Sequence, residues 1–272
     1  MTAFLTALFT VIGIAVGSFL NVCIDRLPLN KSLVSPPSHC DACGRRLSLI
    51  DLFPLLNYLW LRGRCRYCGD RIPLRVPLVE LLAGVVFFLS FWYFGLTARF
   101  GVTAFWCCVF ILIIFIDWEH KLILNKVTYP AAILALALLA FDAFSPGLLL
   151  PGGLPFLPLD KPAILSGVIG GAAGFVFFLM VFLIAPRGMG LGDVKLAGLI
   201  GFVVGWPLVV VALLIGILLG GLLAIVLLAF RLKGRKDPIP YGTLLAIGPI
   251  IALFWGTDIF RWYQDLFGFS II

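Results

Sequence analysis

Two aspartates at the ends of apolar segments are the side chains of this sequence best suited to catalysis. Asp117 ends the apolar stretch 101–116, and Asp193 precedes a stretch without any charged residue, 196–230. Ionisable groups at membrane depth are costly, so they indicate function by default. Two carboxylates held close share one proton, so one can take a proton from water while the other protonates a carbonyl. The pattern is typical of an aspartyl protease with Asp117 and Asp193 as catalytic residues.

Spacing alone leaves two other interpretations of this pair. Charged residues follow each aspartate within four positions, so either acid could be a solvated helix cap. A pair of membrane carboxylates could also form the proton relay of a transporter. Gly190 and Gly192 favour the protease, because they remove side chains beside Asp193 and would let a substrate backbone approach closely.

Four cysteines form a second candidate site. They occur as two C-x-x-C pairs, each followed by glycine, with 21 residues between the pairs: Cys40, Cys43, Cys65 and Cys68. This is the spacing of a four-cysteine zinc site. Four thiolates leave a tetrahedral ion no open position, so the zinc would be structural and would fold the loop around it. The alternative interpretations are a redox pair and unlinked core cysteines.

The composition identifies the kind of protein that positions these groups. The 272 residues are 62% hydrophobic and only 12% charged, whereas soluble domains carry roughly 25% charged residues. The apolar residues fall into blocks near the length of about 20 residues that spans a bilayer. The sequence therefore predicts a polytopic membrane protein. Because the basic residues cluster in loops, the net charge of +7 indicates membrane topology and not nucleic-acid binding.

We expect an all-α polytopic membrane protein with about eight transmembrane helices. A cytoplasmic four-cysteine zinc-binding loop domain lies between helices 1 and 2. The predicted spans are 3–20, 78–97, 101–117, 127–144, 163–185, 194–206, 208–230 and 242–258.

Charge asymmetry predicts the orientation. Seventeen of the 20 Lys and Arg residues fall on one side of the eight-span arrangement, which the positive-inside rule assigns to the cytoplasm. Both termini would then lie outside, and the zinc domain and both aspartates at the cytoplasmic face. The predicted domains are a first helix over 1–20, the zinc-binding domain over 21–76, a second helix over 77–100 and a transmembrane protease domain over 101–260.

Several motifs in order resemble those of the type IV prepilin peptidases, also called prepilin leader peptidase/N-methyltransferases. Together they cover most of the chain. They are Gly17-Ser18-Phe19-Leu20-Asn21-Val22, Arg26-Leu27-Pro28, the two cysteine pairs with Leu61-Arg62-Gly63-Arg64-Cys65-Arg66, Pro77-Leu78-Val79-Glu80, the G-x-G-D motif in Gly190-Leu191-Gly192-Asp193-Val194-Lys195, and Tyr241-Gly242-Thr243-Leu244-Leu245-Ala246-Ile247-Gly248-Pro249.

The resemblance implies two activities in the bacterial cytoplasmic (inner) membrane. One is cleavage of the basic leaders of type IV prepilins and pseudopilins after a glycine, with Asp117 and Asp193 as the catalytic pair. The other is methylation of the new N-terminal amine with S-adenosylmethionine, associated with the zinc domain. The partners implied are these substrates and membrane lipids. Because the zinc loop is basic, we expect acids to guide the basic leader, from among Glu119, Asp41, Asp51 and Asp70.

One position departs from the family pattern. The family commonly has a Pro-Asp step a few residues after the first catalytic acid, and here that place reads Leu124-Asn125. A role for a carboxylate at this position is therefore not expected in this chain.

The methyl-donor site has no sequence motif of its own. The chain lacks the glycine-rich strand-turn-helix fingerprint of a Rossmann site, so the pocket must come from the zinc loop and the ends of the first two spans. Glu80 could bind the amine or a ribose hydroxyl, or cap its helix. Arg26 could bind the carboxylate of the cofactor, or anionic lipid.

Three alternatives compete with the bifunctional enzyme. The first is a peptidase without methyltransferase activity, against which the zinc loop argues. The second is a proton-coupled transporter with a structural zinc domain. The third is a structural subunit of a pilus or secretion assembly, in which both aspartates could be replaced freely. The G-x-G-D spacing and the last motif favour the enzyme over the second and third.

Overall fold

The computed structural model describes residues 2–48, 51, 53–144, 163–186, 189–230 and 241–267. Within these residues the regular structure is helical, and the β-pairing is limited to two isolated bridges in the cysteine loop. The helices are α1 (Thr2–Arg26), α2 (Leu56–Trp60), α3 (Arg75–Phe94), α4 (Ala98–His120), α5 (Asn125–Phe144), α6 (Ala163–Ile184), α7 (Leu191–Val204), α8 (Leu208–Ala229) and α9 (Tyr241–Phe267).

Six helices of the described chain are long and apolar enough to cross a bilayer, which makes this a multi-pass membrane protein. They are α1, α3, α4, α6, α8 and α9. Many of their large apolar side chains are exposed, for example Phe4, Leu218 and Ile225. Such faces suit contact with lipid.

Two compact units make up the chain, residues 1–112 and 113–272, with the boundary inside α4. In the first unit, α1 packs closely on α3. A Cβ atom at Gly17 would lie 2.6 Å from the Cα of Glu80. Small residues at a helix contact let two backbones approach in this way. The contact places the end of α1 beside the start of α3.

The second unit contains a similar contact between α6 and α7. A Cβ atom at Gly170 would lie 2.6 Å from the carbonyl oxygen of Gly201, and one at Gly174 would lie 2.5 Å from that of Ala197. The α6 glycines therefore allow the two helix backbones to pack closely. This contact sets the depth of α7, which carries Asp193.

A turn at Gly205-Trp206-Pro207 connects α7 and α8. The N–H of Trp206 donates to the carbonyl of Ser166 over 3.0 Å, and the Ser166 hydroxyl donates to the carbonyl of Trp206 over 2.9 Å. This reciprocal pair satisfies polar groups of a turn that hydrocarbon could not solvate.

Each of the eight predicted spans coincides with a helix, but some boundaries differ. The first helix was predicted to end near residue 20 and continues to Arg26, because Asn21, Cys23 and Ile24 are still buried by packing. The short helix α2 was not predicted. The outer loop 145–162 and the basic cluster 231–236 lie outside the described residues.

Candidate active site

Asp117 occupies the last turn of α4, where its carboxylate is buried with only 5% of the residue exposed. Its Oδ2 accepts two hydrogen bonds from Thr243 at the start of α9, one from the backbone N–H at 2.6 Å and one from Oγ1 at 2.9 Å. Lys121 ends the helix with a φ of +53° and donates its N–H to the carbonyl of Asp117. Asp117 is therefore not the solvated helix end that its charged neighbours suggested.

Asp193 occupies the first turn of α7 and is 7% exposed. Its Oδ2 accepts the backbone N–H of Gly190 over 3.0 Å. An acid in a first turn also interacts favourably with the helix dipole. Asp193 therefore caps its helix through this hydrogen bond, as the alternative interpretation held. Its carboxylate is buried, however, and is not exposed to solvent.

The structure brings both aspartates and the last motif to one place. Gly192, next to Asp193, and Gly242, beside Asp117, both lie against Ile123, so the two carboxyl groups are neighbours. A Cβ atom at Gly242 would lie 3.1 Å from Asp117 Oδ2. Two buried carboxylates close enough to repel can hold a single proton between them.

Ile123 fills the space beside this carboxylate pair. A Cβ atom at Gly192 would lie 3.0 Å from the Cβ of Ile123, and one at Gly242 would lie 2.8 Å from its Cδ1. We expected a substrate backbone to occupy the space beside Gly192, but the side chain of Ile123 fills it. Gly190 keeps more room, since its nearest contact is Asp193 Oδ2 at 3.6 Å.

Two residues of this site were missed by sequence reasoning. Thr243 stands within a motif recognised as a whole, but nothing in its type assigned it to Asp117. Ile123 is one more aliphatic residue in an apolar chain. Both contacts join segments distant along the chain, and no local pattern reports them.

Asn125, at the position where the family commonly has an acid, binds a lysine. Its Oδ1 accepts a hydrogen bond from Lys195 Nζ over 3.0 Å, and the same ammonium lies 5.2 Å from the centre of the Tyr129 ring. Lys195 is thereby directed to the start of α5. An amide oxygen serves this contact without adding a negative charge near the carboxylate pair.

The four cysteines of the predicted zinc site come together in the first unit. All four Sγ atoms lie within 4.8 Å of one another, and Cys40 Sγ is 3.8 Å from Cys68 Sγ. With zinc–sulfur bonds of about 2.3 Å, a tetrahedral ion separates its sulfur ligands by about 3.8 Å. The cluster therefore fits a tetrahedral metal ion, and none of the four thiols forms a disulfide.

Each cysteine pair folds into the same kind of turn. The N–H of Gly44 donates to Cys40 and that of Gly69 to Cys65, and the φ angles of these glycines are +68° and +75°. The left-handed backbone explains the glycine after each pair. Backbone N–H groups of Cys68 and Tyr67 lower the pKa of Cys65 to about 7, which favours its thiolate. For Cys68, the N–H of Asp70 lowers the pKa, but desolvation and hydrogen bonds with the other three thiols outweigh it and raise the pKa to about 12.

Asp51 holds the linker between the pairs against the second turn. Its carboxylate pairs with Arg66 at 2.8 Å and accepts hydrogen bonds from Ser48 and Tyr67. Burial raises the pKa of Asp51, but these hydrogen bonds and the Arg66 charge outweigh it and lower the pKa overall. With its side chain only 2% exposed, Asp51 is an internal brace and a poor guide for a leader peptide.

Glu80 and Arg26, the residues predicted for the methyl donor, have different surroundings. Glu80 is 4% exposed and accepts the backbone N–H of Leu55 over 2.8 Å. It lines a cavity of about 390 Å³ in the first unit. Arg26 is not among the residues lining that cavity, and its guanidinium donates to the backbone carbonyls of Ser32 and Pro36. The structure thus places Arg26 in a loop contact.

Comparison with known proteins covers both units. A model of the bacterial peptidase A24 N-terminal domain matches residues 11–94, and a model of the type IV leader peptidase family matches residues 104–225. The chain is 31% identical over 253 residues to a prepilin leader peptidase/N-methyltransferase of Bacillus subtilis, covering 93% of this chain and 95% of that protein. It is 31% identical over 283 residues to the protein of that name in Pseudomonas aeruginosa, covering 95% and 93%. No solved structure matches the chain.

Proposed function

Because the chain belongs to the type IV leader peptidase family, we propose that it is a membrane-embedded aspartyl endopeptidase and N-methyltransferase. Its substrates are type IV prepilins and pseudopilins, cleaved after the glycine that ends the leader. The new N-terminal residue is then methylated with S-adenosylmethionine. The buried pair of Asp117 and Asp193, inside the segment that matches the family, carries this proposal.

The hydrogen bonds divide the catalytic roles between the two aspartates. Asp117 accepts two donors from Thr243, whereas Asp193 accepts a single N–H, from Gly190. Hydrogen bonds to a carboxylate favour its charged form. Asp117 is therefore the base that takes a proton from water, and Asp193 holds the shared proton and gives it to the substrate carbonyl.

Zinc is the metal that best fits the four-cysteine cluster. A site of four thiolates with tetrahedral spacing suits zinc, and it is closed to substrate. Cys40, Cys43, Cys65 and Cys68 would hold the ion, which would stabilise the loop over 21–76. We assign substrate capture and methylation to this zinc domain with the flanking helices 1–20 and 77–100, and cleavage to 101–260.

The membrane topology follows from the charge distribution. The eight long helices α1 and α3–α9 are the eight spans, in the bacterial inner membrane. Seventeen of the 20 Lys and Arg residues then lie on the cytoplasmic side together with the zinc domain and the carboxylate pair. Both termini lie outside.

Mass spectrometry of a prepilin incubated with the purified protein and S-adenosylmethionine tests the function. An Asp193→Ala variant serves as the control. Leader loss with one added methyl group, and no cleavage by the control, is the expected result. Leader loss without a methyl group would leave a peptidase alone. An intact substrate with a folded, zinc-loaded protein would contradict the proposal and favour the transporter.

A further inference from the structure

The cavity of the first unit lies where the end of α1, the start of α3 and the loop between them meet. Its volume of about 390 Å³ falls in the range of small-molecule sites. It lies in the unit that holds the cysteine cluster, and Cys40 and Cys65 are among its lining residues. Aromatic side chains of Phe53, Tyr58 and Tyr67 also line it.

Two buried hydrogen-bond acceptors line this cavity. Asn21 is 6% exposed, and its amide nitrogen donates to the carbonyls of Gly17 and Val76. Its Oδ1 has no hydrogen-bond partner among the residues that the structure describes. A buried acceptor left without a donor costs roughly 1–3 kcal/mol. The Oδ1 atom of Asn21 is therefore available to accept a hydrogen bond from a ligand.

Glu80 is the second acceptor, and its charge has no counterion in the described parts of the chain. Four other carboxylates line the cavity, and two of them have counterions, since Asp51 pairs with Arg66 and Asp25 with Arg75. The other two, Asp41 and Asp70, are exposed to solvent, whereas Glu80 is buried. The hydrogen-bond donor to Glu80 is neutral, the backbone N–H of Leu55. A carboxylate offers about four lone-pair positions, so it can accept further hydrogens.

Leu55, which donates its backbone N–H to Glu80, has an unusual backbone conformation. Its φ of +56° is unusual for a residue with a side chain and costs on the order of 1–3 kcal/mol. Such conformations cluster at functional sites. The cavity thus combines an acceptor without a hydrogen-bond partner and a buried carboxylate without a counterion. These features favour a ligand that carries a positively charged N–H donor.

We infer that this cavity is the methyl-transfer site and that Glu80 and Asn21 hold the amine to be methylated. This inference rests on the proposed function, since the cleaved pilin supplies an N-terminal ammonium of the required chemistry. The methyl donor is a sulfonium compound, itself a cation that suits aromatic and acidic lining.

The transfer is balanced by one proton. Glu80 takes a proton from the bound ammonium, which frees the nitrogen lone pair. The nitrogen then forms a bond to the methyl carbon as the sulfur–carbon bond breaks and its electron pair stays on sulfur. The products are a secondary amine, a neutral thioether and one proton held at Glu80, which returns to water.

The test compares Glu80→Gln with the unmodified protein in lipid nanodiscs. Glutamine keeps the size of the side chain and an oxygen for the Leu55 N–H. We expect methylation of a pre-cleaved peptide to fall by about 100-fold or more at pH 7. Leader cleavage and zinc content should be unchanged, and affinity for S-adenosylhomocysteine, measured by calorimetry, should change by less than about threefold, because Glu80 binds the amine. Asp265→Asn, which removes an exposed acid of α9, is the matched control.

A pH profile separates proton transfer from a structural role. An N-terminal amine loses its proton near pH 8 without help. The deficit of Glu80→Gln should therefore shrink when the assay is moved from pH 7 to pH 9, which a structural defect would not do. Asn21→Ala should raise the KM for the peptide by about tenfold, the value of one hydrogen bond to a charged group.

Three outcomes would overturn the inference. One is methylation by Glu80→Gln within about threefold of the unmodified protein. A second is a deficit that does not change with pH. The third needs no variant: 8-azido-S-adenosylmethionine photolysed with the unmodified protein should label peptides within residues 18–80, and labelling confined to other segments would exclude this cavity. If the unmodified protein cleaves but adds no methyl group, the proposed function fails instead.

Discussion

The carboxylates of the two units are held in different ways. In the second unit, Asp117 and Asp193 lie on helix ends, and their partners Thr243 and Gly190 belong to helix termini as well. In the first unit, Glu80 lies on a helix, but its backbone partner Leu55 belongs to the loop between the cysteine pairs. In a site built from helix ends, helix packing fixes the positions of the side chains. In a site completed by a loop, those positions depend on the interactions that fold the loop.

This contrast suggests that the two activities can be lost separately. The described residues between α1 and α2 form no helix, and the cysteine cluster and the Asp51 contacts join them to the second cysteine turn. Among the residues that the structure describes, no such cluster lies beside Asp117 or Asp193. Damage to the cluster should therefore affect methylation more than peptide cleavage.

The largest effect is expected from Asp193→Asn. This change keeps an oxygen for the Gly190 N–H but removes the acid, so cleavage should fall by about 10³-fold or more. Methylation of a pre-cleaved peptide should remain, because we assign that activity to the first unit. Both rates are measured by mass spectrometry. A variant that retains a tenth of the cleavage rate would remove Asp193 from the catalytic pair.

Loss of the metal tests the other half of the contrast. Cys65→Ser should reduce methylation roughly 100-fold, since a structural zinc site supplies the folding energy of its loop. Cleavage of a prepilin should fall much less. Cys108→Ala removes a buried thiol outside the cluster and is the control. Equal loss of the two activities in Cys65→Ser would show that the contrast is wrong.

A smaller effect is expected from Thr243→Val. Valine keeps the shape and the backbone N–H but deletes the hydroxyl that donates to Asp117 Oδ2. A hydrogen bond to a charged group is worth about 1.5–3 kcal/mol, so kcat for cleavage should fall by about tenfold to 100-fold. Thr243→Ser restores the hydroxyl and should recover most of the rate. Unchanged kcat in the valine variant would mean that the N–H alone orients Asp117.

The smallest effect on chemistry is expected from the glycine contact between α6 and α7. Gly201→Ala forces a methyl group against the backbone of Gly170 and should lower the stability of the second unit by about 1–3 kcal/mol. Gly221→Ala on α8, where the added atom meets open space, should leave stability unchanged or slightly higher. Thermal unfolding in detergent measures both. Equal unfolding midpoints for the two variants would show that α6 and α7 can move apart at little cost to accommodate the added methyl group.

The sequence was a good guide wherever local rules govern structure. Apolar length located the six helices that are long enough to span a bilayer, and C-x-x-C spacing located the cysteine cluster, since both signals are complete within short segments. It could not supply contacts that depend on how segments meet. The Thr243 donors to Asp117 cross 126 positions, and the link from Leu55 to Glu80 depends on a left-handed backbone that leucine rarely adopts.

Glycines also show where inference from residue type was incomplete. Gly190 and Gly192 were expected to make room for substrate, and the structure gives the room at Gly192 to Ile123. A glycine reports that a side chain would not fit, but it does not report which neighbour occupies the space.

The contact of Gly170 with Gly201 has a consequence for the mutational history of the protein. Glycine is the smallest residue, so every missense change at these positions adds atoms where the backbones already touch. No conservative replacement exists for either one, although neither takes part in chemistry. Lipid-facing positions such as Leu218 can exchange one aliphatic side chain for another. Selection should therefore remove substitutions at Gly170 and Gly201 nearly as strictly as substitutions at Asp117 and Asp193.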